Sequence, residues 1–266
     1  MRVRVRLFAI QRELAGTRAV DLDLPDDATV ADGWRGLVLR FPVLAPGHDS
    51  VRFARNGDYA DSAELLMDGD ELAVIPPVSG GAGTDHPDRA VDPGGPLRVL
   101  ELREVPFGTG ILGELGDRLA TDQDGAIVGF LGRTRATPGT PAPGQEAEAA
   151  RHAGRTVDAL DYEAHDTMAI RVLDAIATEV GERFGVIRLA IVHRIGDVPL
   201  GEASIAVVAV AAHRDDAFRA ARYAIDETKA RAPIWKAERF ADGHVWIGHA
   251  ARTGPGPVDT PTEGES

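Results

Sequence analysis

Two prolines and two glycines in the middle of the chain limit what it can become. Pro76-Pro77-Val78-Ser79-Gly80-Gly81 follows the apolar run Val74-Ile75 and has the form of a chain end, yet the sequence continues to Ser266. Proline removes backbone donors that would extend a sheet, so Pro76 and Pro77 stiffen the exit from a strand. Glycine has no side chain, so Gly80-Gly81 can enter a channel too narrow for other residue pairs. Ala82 to Pro96 then sets Gly83, Pro87, Pro93, Gly94, Gly95 and Pro96 among Asp, His and Thr, which reads as a flexible, protease-accessible linker. Cut there, the 266 residues fall into a domain over 1–81, a linker over 82–96 and a second domain over 97–251. Each domain is long enough for its own core. The remainder, 252–266, has no periodic apolar pattern and reads as a disordered tail.

Composition narrows the partners. A net charge of -13 argues against nonspecific nucleic-acid binding, which needs a basic face to displace counterions. No apolar run reaches the length of a membrane span, and Met1 to Ile10 alternates Arg with Val or Leu instead of forming a signal-peptide core, so a cytoplasmic location with no membrane partner is expected. There is no cysteine, which removes disulfides, thiolate nucleophiles and cysteine metal sites together. Any sulfur the chain handles must ride elsewhere, and the carboxyl of a free Gly81 is one such carrier.

In the first domain, Arg2 to Leu7 alternates strictly and predicts a half-buried strand, with a second strand at Arg18 to Leu24 forming a hairpin around Gly16. Thr29 is placed to cap a helix carrying Val30, Trp34, Leu37, Val38 and Phe41 at helical spacing. Val51 to Arg55, a turn at Asn56-Gly57, a short strand at Glu64 to Met67 and a last strand at Glu71 to Ile75 follow. This order predicts one helix across a mixed sheet, an α+β β-grasp (ubiquitin-like) domain.

The second domain opens with a strand at Leu97 to Leu102, a helix at Ile111 to Leu119 and a strand from Ala126 to Leu131. Ala136 to Arg155, rich in Pro, Gly, Ala and Glu, is expected to be a mobile loop without fixed structure. A strand at Val157 to Glu163 and a helix from Asp166 to Phe184, stopped by Gly185, come next. Val186 to His193 and Ala203 to Ala212 read as strands joined by a hairpin loop at Gly196 to Gly201. The helix Asp215 to Ala230 is expected to bury Phe218, Ala221 and Ile225.

The sharpest polar constellation is Lys229, Arg231 and Lys236 around Pro233-Ile234-Trp235. Lysines near helix ends usually complement the helix dipole or solvate a face, and that plain reading stands beside the chemical one. Against it, Pro233 breaks the helix, so Lys236 lies on extended chain and can fold back beside Lys229. Two ammonium groups in one pocket lower each other's pKa, and a lysine near neutrality is a base or nucleophile. Arg133, Arg135, His213 and Arg214 would give that pocket the positive lining a phosphate needs. His193, closing an apolar strand, reads as structural. No metal-ligand spacing is present, and no permanently bound cofactor is expected.

These residues resemble molybdopterin synthase. Leu7-Phe8-Ala9, Leu24-Pro25, Ala28-Thr29-Val30, Asp68-Gly69-Asp70-Glu71 and Ile75 to Gly81 resemble the small, sulfur-carrying subunit. Phe130-Leu131-Gly132-Arg133-Thr134-Arg135, Tyr162-Glu163-Ala164, His193-Arg194-Ile195-Gly196, Ala212-His213-Arg214 and Lys229 to Lys236 resemble the large subunit, with its α/β-hammerhead-like fold. The resemblance implies transfer of two sulfurs from thiocarboxylates on the terminal glycine, here Gly81, to cyclic pyranopterin monophosphate, giving the dithiolene of molybdopterin. It implies catalytic roles for Lys229, Lys236 and Gly81. It implies substrate contacts from Arg133, Thr134, Arg135, His213, Arg214, Lys229, Lys236, Ala237 and Glu238. It also implies an adenylating and sulfur-loading enzyme as partner and a homodimer through the catalytic domain. This chain departs from the family where Gly81 is bonded to Ala82, so a processing protease must cut there before Gly81 can carry sulfur. A ubiquitin-like docking module fused to a non-catalytic pterin-binding domain, and a phosphate-ligand enzyme unrelated to sulfur, are the other readings.

Overall fold

The computed structural model describes residues 1–77, 97–142 and 144–248. Gly80, Gly81, the bond to Ala82, the linker 82–96 and the tail 252–266 lie outside the described residues.

In the N-terminal unit, β1 (Arg2–Leu7) leads into α1 (Ala9–Ala15) before β2 (Ala19–Asp23) returns antiparallel to β1 with Val5 opposite Val20. The expected hairpin therefore contains a helix, about two turns long and too short for its period to register. Gly16 closes it at φ 66, a left-handed conformation that glycine adopts without cost. The predicted cap forms on α2 (Val30–Arg40): Asp32 N donates to Thr29 Oγ1 at 3.3 Å, and Thr29 N donates to the Asp32 carboxylate at 2.9 Å.

β3 (Arg52–Arg55) turns through Asn56-Gly57 into β4 (Asp58–Ala60), with φ of 51 and 89 at the turn. The short strand expected at Glu64–Met67 is instead an isolated bridge from Leu65 to Thr29, because β4 already occupies the edge beside β3. β5 (Glu71–Ile75) lies parallel to β1 and antiparallel to β3, giving the order β2-β1-β5-β3-β4. Trp34 and Leu37 of α2 pack on Val3, Val5, Leu72 and Val74, which completes the β-grasp.

The C-terminal unit runs β6 (Arg98–Arg103), α3 (Gly110–Leu119), β7 (Ala126–Arg133), α4 (Glu146–Arg151), β8 (Ala159–Ala164) and α5 (Asp166–Phe184). It continues with β9 (Arg188–Arg194), β10 (Gly196–Pro199), β11 (Ala203–Ala211), α6 (Arg214–Arg231), β12 (Ile234–Phe240) and β13 (Gly243–Ile247). One sheet is ordered β6-β9-β11-β7 and the other β10-β8-β12-β13. Leu173, Ile176 and Val180 of α5 and an alanine line on α6 bury the first sheet's Ile191, Val207 and Ala209.

Three expectations fail here. Ala136–Arg155 is not structureless: Ala142 N donates to Trp246 O at 2.8 Å, Pro141 bridges Ile247, and α4 follows. Its order is borrowed from the edge of β13, so its own composition does not announce it. Gly196–Gly201 is not a simple hairpin loop, because β10 leaves its neighbours to pair with β8 in the other sheet and buries Val198 opposite Leu160. Ala221 and Ile225 of α6 are buried as expected, but Phe218 is 61% exposed, and the helix also buries Ala217, Ala220 and Ala224, small residues that let it sit close to the sheet.

The two units meet along a defined seam. Phe8 stacks against both His165 and Trp235, with ring centroids 5.2 and 5.1 Å apart. Ala9 N and the Arg12 guanidinium each donate to Glu163 at 3.0 Å. Ala9 takes φ 46, a strain of about 1–3 kcal/mol at the residue whose amide meets Glu163. Glu13 accepts from Trp246 Nε1 at 2.9 Å, and Arg171 reaches Asp58. At the exit of β5, Trp235 Nε1 donates to Pro76 O at 3.0 Å, and both Pro76 and Pro77 are buried. Replacing Glu163 by Ala strips acceptors from two donors at this seam and is expected to weaken docking by about 2–3 kcal/mol. Amide exchange at Ala9 should then accelerate while the cores of β1 and β5 stay protected; unchanged exchange at Ala9 would refute the role given to Glu163.

Candidate functional site

The end of α6 and the start of β12 build the site. Ala232 closes α6 and Pro233 prevents its continuation, so the chain re-enters as a strand between β8 and β13. Strand alternation then sends Lys236 and Glu238 to one face and Trp235 and Ala237 to the other. Lys236 and Glu238 border a cavity of about 450 Å³ that also takes in Arg133, Arg135, Tyr162, His193, Ser204, Thr228 and Lys229. Trp235 and Ala237 lie in the apolar seam with Phe8, Ala9 and Ile75 of the N-terminal unit.

Both lysines singled out from the sequence reach this cavity, but their settings differ. Lys229 is exposed, with Nζ 5.7 Å from the centre of the Phe130 ring. Lys236 is half-buried, and its pKa is lowered below 10.5 by that burial; Glu238 opposes the shift, while Lys229 and Arg135 add to it. Burial raises the Glu238 carboxyl, opposed by the Gly139 amide and by Lys236 and Arg135. Gly139 N lies 2.8 and 3.0 Å from the two Glu238 oxygens, so the 136–155 segment is tied to a residue that borders the cavity.

Other predicted residues stand apart. Thr134 is buried and donates Oγ1 to Val198 O at 3.3 Å, and it does not border the cavity. Arg133 does border it while donating Nε to Gly201 O at 2.6 Å. His213 and Arg214 are exposed at the opposite end of α6, about 24 Å along its axis from Lys229, so one chain does not bring them to the same cavity. Arg231 turns inward: Glu179 accepts from it at 2.7 and 2.9 Å, Glu227 at 3.2 Å, and Tyr223 also donates to Glu179 at 2.7 Å. Among the described residues, no three His, Asp or Glu side chains gather as a metal site.

The sequence reading set His193 aside as structural, yet it borders the cavity. Its Nδ1 donates to Arg194 O at 2.7 Å, and burial holds its pKa down to about 4, a shift the carbonyl opposes and Lys229 reinforces. It lies opposite Ile205 of β11, a register that no local pattern reveals.

Residues 111–231 match the MoaE protein family, and residues 5–81 match the ThiS family. The molybdopterin synthase catalytic subunit of Pyrococcus abyssi is 38% identical over 129 residues, which is 48% of this chain and 78% of that protein. The catalytic subunit of Emericella nidulans is 32% identical over 181 residues, covering 68% of this chain and 86% of that protein. The chain belongs to the molybdopterin synthase catalytic-subunit family. Here that family's unit is fused behind a ThiS-family β-grasp unit. The rice catalytic subunit shares 47% identity over 122 residues, and the chain spans 56% of its length. A molybdopterin synthase structure from Staphylococcus aureus is 30% identical, covering 58% of this chain and 97% of that one, with a TM-score of 0.47.

The two kinds of cation separate by mutation. Replacing Arg231 by Leu removes its ion pairs to the buried Glu179 and Glu227 and is expected to cost about 3–5 kcal/mol in urea unfolding. Replacing exposed Lys229 by Ala is expected to cost less than about 0.5 kcal/mol. Equal costs would mean that Arg231 is not the structural member of the constellation.

Proposed function

We propose that this chain is a self-contained molybdopterin synthase of the cytoplasm, carrier and catalyst in one polypeptide. Cleavage after Gly81 frees a carboxyl, a separate enzyme adenylates it and loads sulfur, and the thiocarboxylate enters the cavity that Lys236 borders. There the thiocarboxylate sulfur bonds to a side-chain carbon of cyclic pyranopterin monophosphate as that carbon's bond to oxygen breaks, the oxygen leaving on the phosphate or as water. Water then cleaves the acyl–sulfur bond, leaving the sulfur on the pterin and returning Gly81 as a carboxylate. Two such rounds supply the two sulfurs of the dithiolene.

The observation that carries this reading is the placement of β5's exit. Pro76 is hydrogen-bonded to Trp235, and the next residue along β12 is Lys236 of the cavity. A tail continuing from Pro77 thus starts one residue along β12 from Lys236, on the opposite face of that strand. Lys236, with its lowered pKa, is suited to accept and return protons during transfer, while Lys229, Arg133 and Arg135 are placed to bind phosphate and developing negative charge. His213 and Arg214 lie too far from Lys229 to serve the same cavity from the same chain. In this proposal a second copy supplies them across a homodimer, which makes the site composite.

Two measurements test the proposal. Mass spectrometry of the active protein is expected to find a fragment ending at Gly81 with one terminal oxygen replaced by sulfur; active protein that is wholly uncut would sink the carrier role. The rate of molybdopterin formation should rise with pH through an inflection below the ordinary lysine value of 10.5, because the depressed pKa makes the neutral amine available earlier. Lys236→Arg stays charged and should remove that inflection along with at least about 100-fold of the rate. Full activity in this variant would refute the assignment.

A further inference from the structure

The cavity is rich in donors and poor in acceptors. Arg133, Arg135, Lys229 and Lys236 can only donate while charged. The Glu238 carboxylate already receives Gly139 N and faces Lys236. The Tyr162 hydroxyl is bonded with Ser204, and the buried Thr228 hydroxyl can serve in either sense. His193 is different. Its Nδ1 lies 2.7 Å from the Arg194 carbonyl, and since a carbonyl oxygen only accepts, Nδ1 must carry the proton. In the neutral ring, Nε2 then presents a lone pair. The ring is buried and packs edge-on to Tyr162 at 4.9 Å between centroids, and turning it over would give up the bond to the Arg194 carbonyl.

Resting on the pterin reading above, we infer that His193 is a substrate-contacting specificity residue whose Nε2 accepts a hydrogen bond from a ring N–H of the heterocycle. The cations recognise phosphate on any ligand. A heterocycle with ring N–H groups instead needs an acceptor, and among the described residues bordering the cavity His193 is a neutral one whose polarity is set by its bond to the Arg194 carbonyl, unlike a hydroxyl, which can turn to donate. The low pKa of the ring, about 4, keeps that polarity throughout the physiological range. A ligand without the N–H would leave Nε2 buried and unpaired, which makes the contact discriminating.

The test is calorimetric titration of the full chain at neutral pH with a pterin monophosphate and with inorganic phosphate as probes, comparing wild type with His193→Phe and His193→Gln. Phe keeps the ring but has no acceptor, and it should weaken the pterin phosphate about 10- to 100-fold while leaving inorganic phosphate unchanged. Gln can place its amide oxygen near the position of Nε2, and it should restore pterin binding to within about threefold of wild type. Unchanged pterin affinity in His193→Phe, or equal losses for both probes, would overturn the inference while leaving the pterin reading intact. A wild-type chain that does not prefer the pterin phosphate to inorganic phosphate would overturn the reading beneath it.

Discussion

The contact between the Trp235 indole and the Pro76 carbonyl fixes how the two units face each other. By itself such a bond contributes about 1 kcal/mol, and stacking on Phe8 adds about as much. Its importance lies in where it falls along β12. Side chains alternate across a strand, so the residue that grips the end of β5 and the residue that borders the cavity are neighbours, facing opposite ways. Tail exit and chemistry are thereby brought together by one step of backbone.

The position of that step depends on the end of α6. Arg231, held by Glu179 and Glu227, ties the last turn of α6 to α5, and Pro233 converts the chain to strand two residues later. The buried network thus sets where β12 begins and which of its residues face the cavity. Lys229 and Arg135 act on Lys236 as like charges, and packing of α6 against the sheet and the register of β12 bring their backbones together.

Much of the fold was legible because its signals are local. The alternation in Arg2–Leu7, the Thr29 cap, the Gly185 stop and the apolar runs of β9 and β11 each report a conformation set by neighbouring residues. Helix α1 escaped notice through its brevity. Segment 136–155 and β10 escaped because their order comes from hydrogen bonds to strands distant in sequence. The misplaced Phe218 shows the limit of a periodicity read on large residues: beside Tyr223 and Ile225 the buried face of α6 is mostly alanine, which carries little hydrophobic signal yet fits where helix and sheet approach closely.

For the site, the sequence by itself determined the types of group available. It shows a chain without cysteine, a glycine pair after two prolines, and lysines on either side of a helix-breaking Pro233. Tertiary structure decided which groups converge. Lys229 and Lys236 share a cavity, Arg231 is diverted into an ion network, His213 is left at the far end of its helix, and His193 enters with its tautomer set. The physical reason is that a residue's chemistry follows its type, whereas its burial, charge state and neighbours follow from register and packing between elements far apart in the chain, which no local pattern encodes.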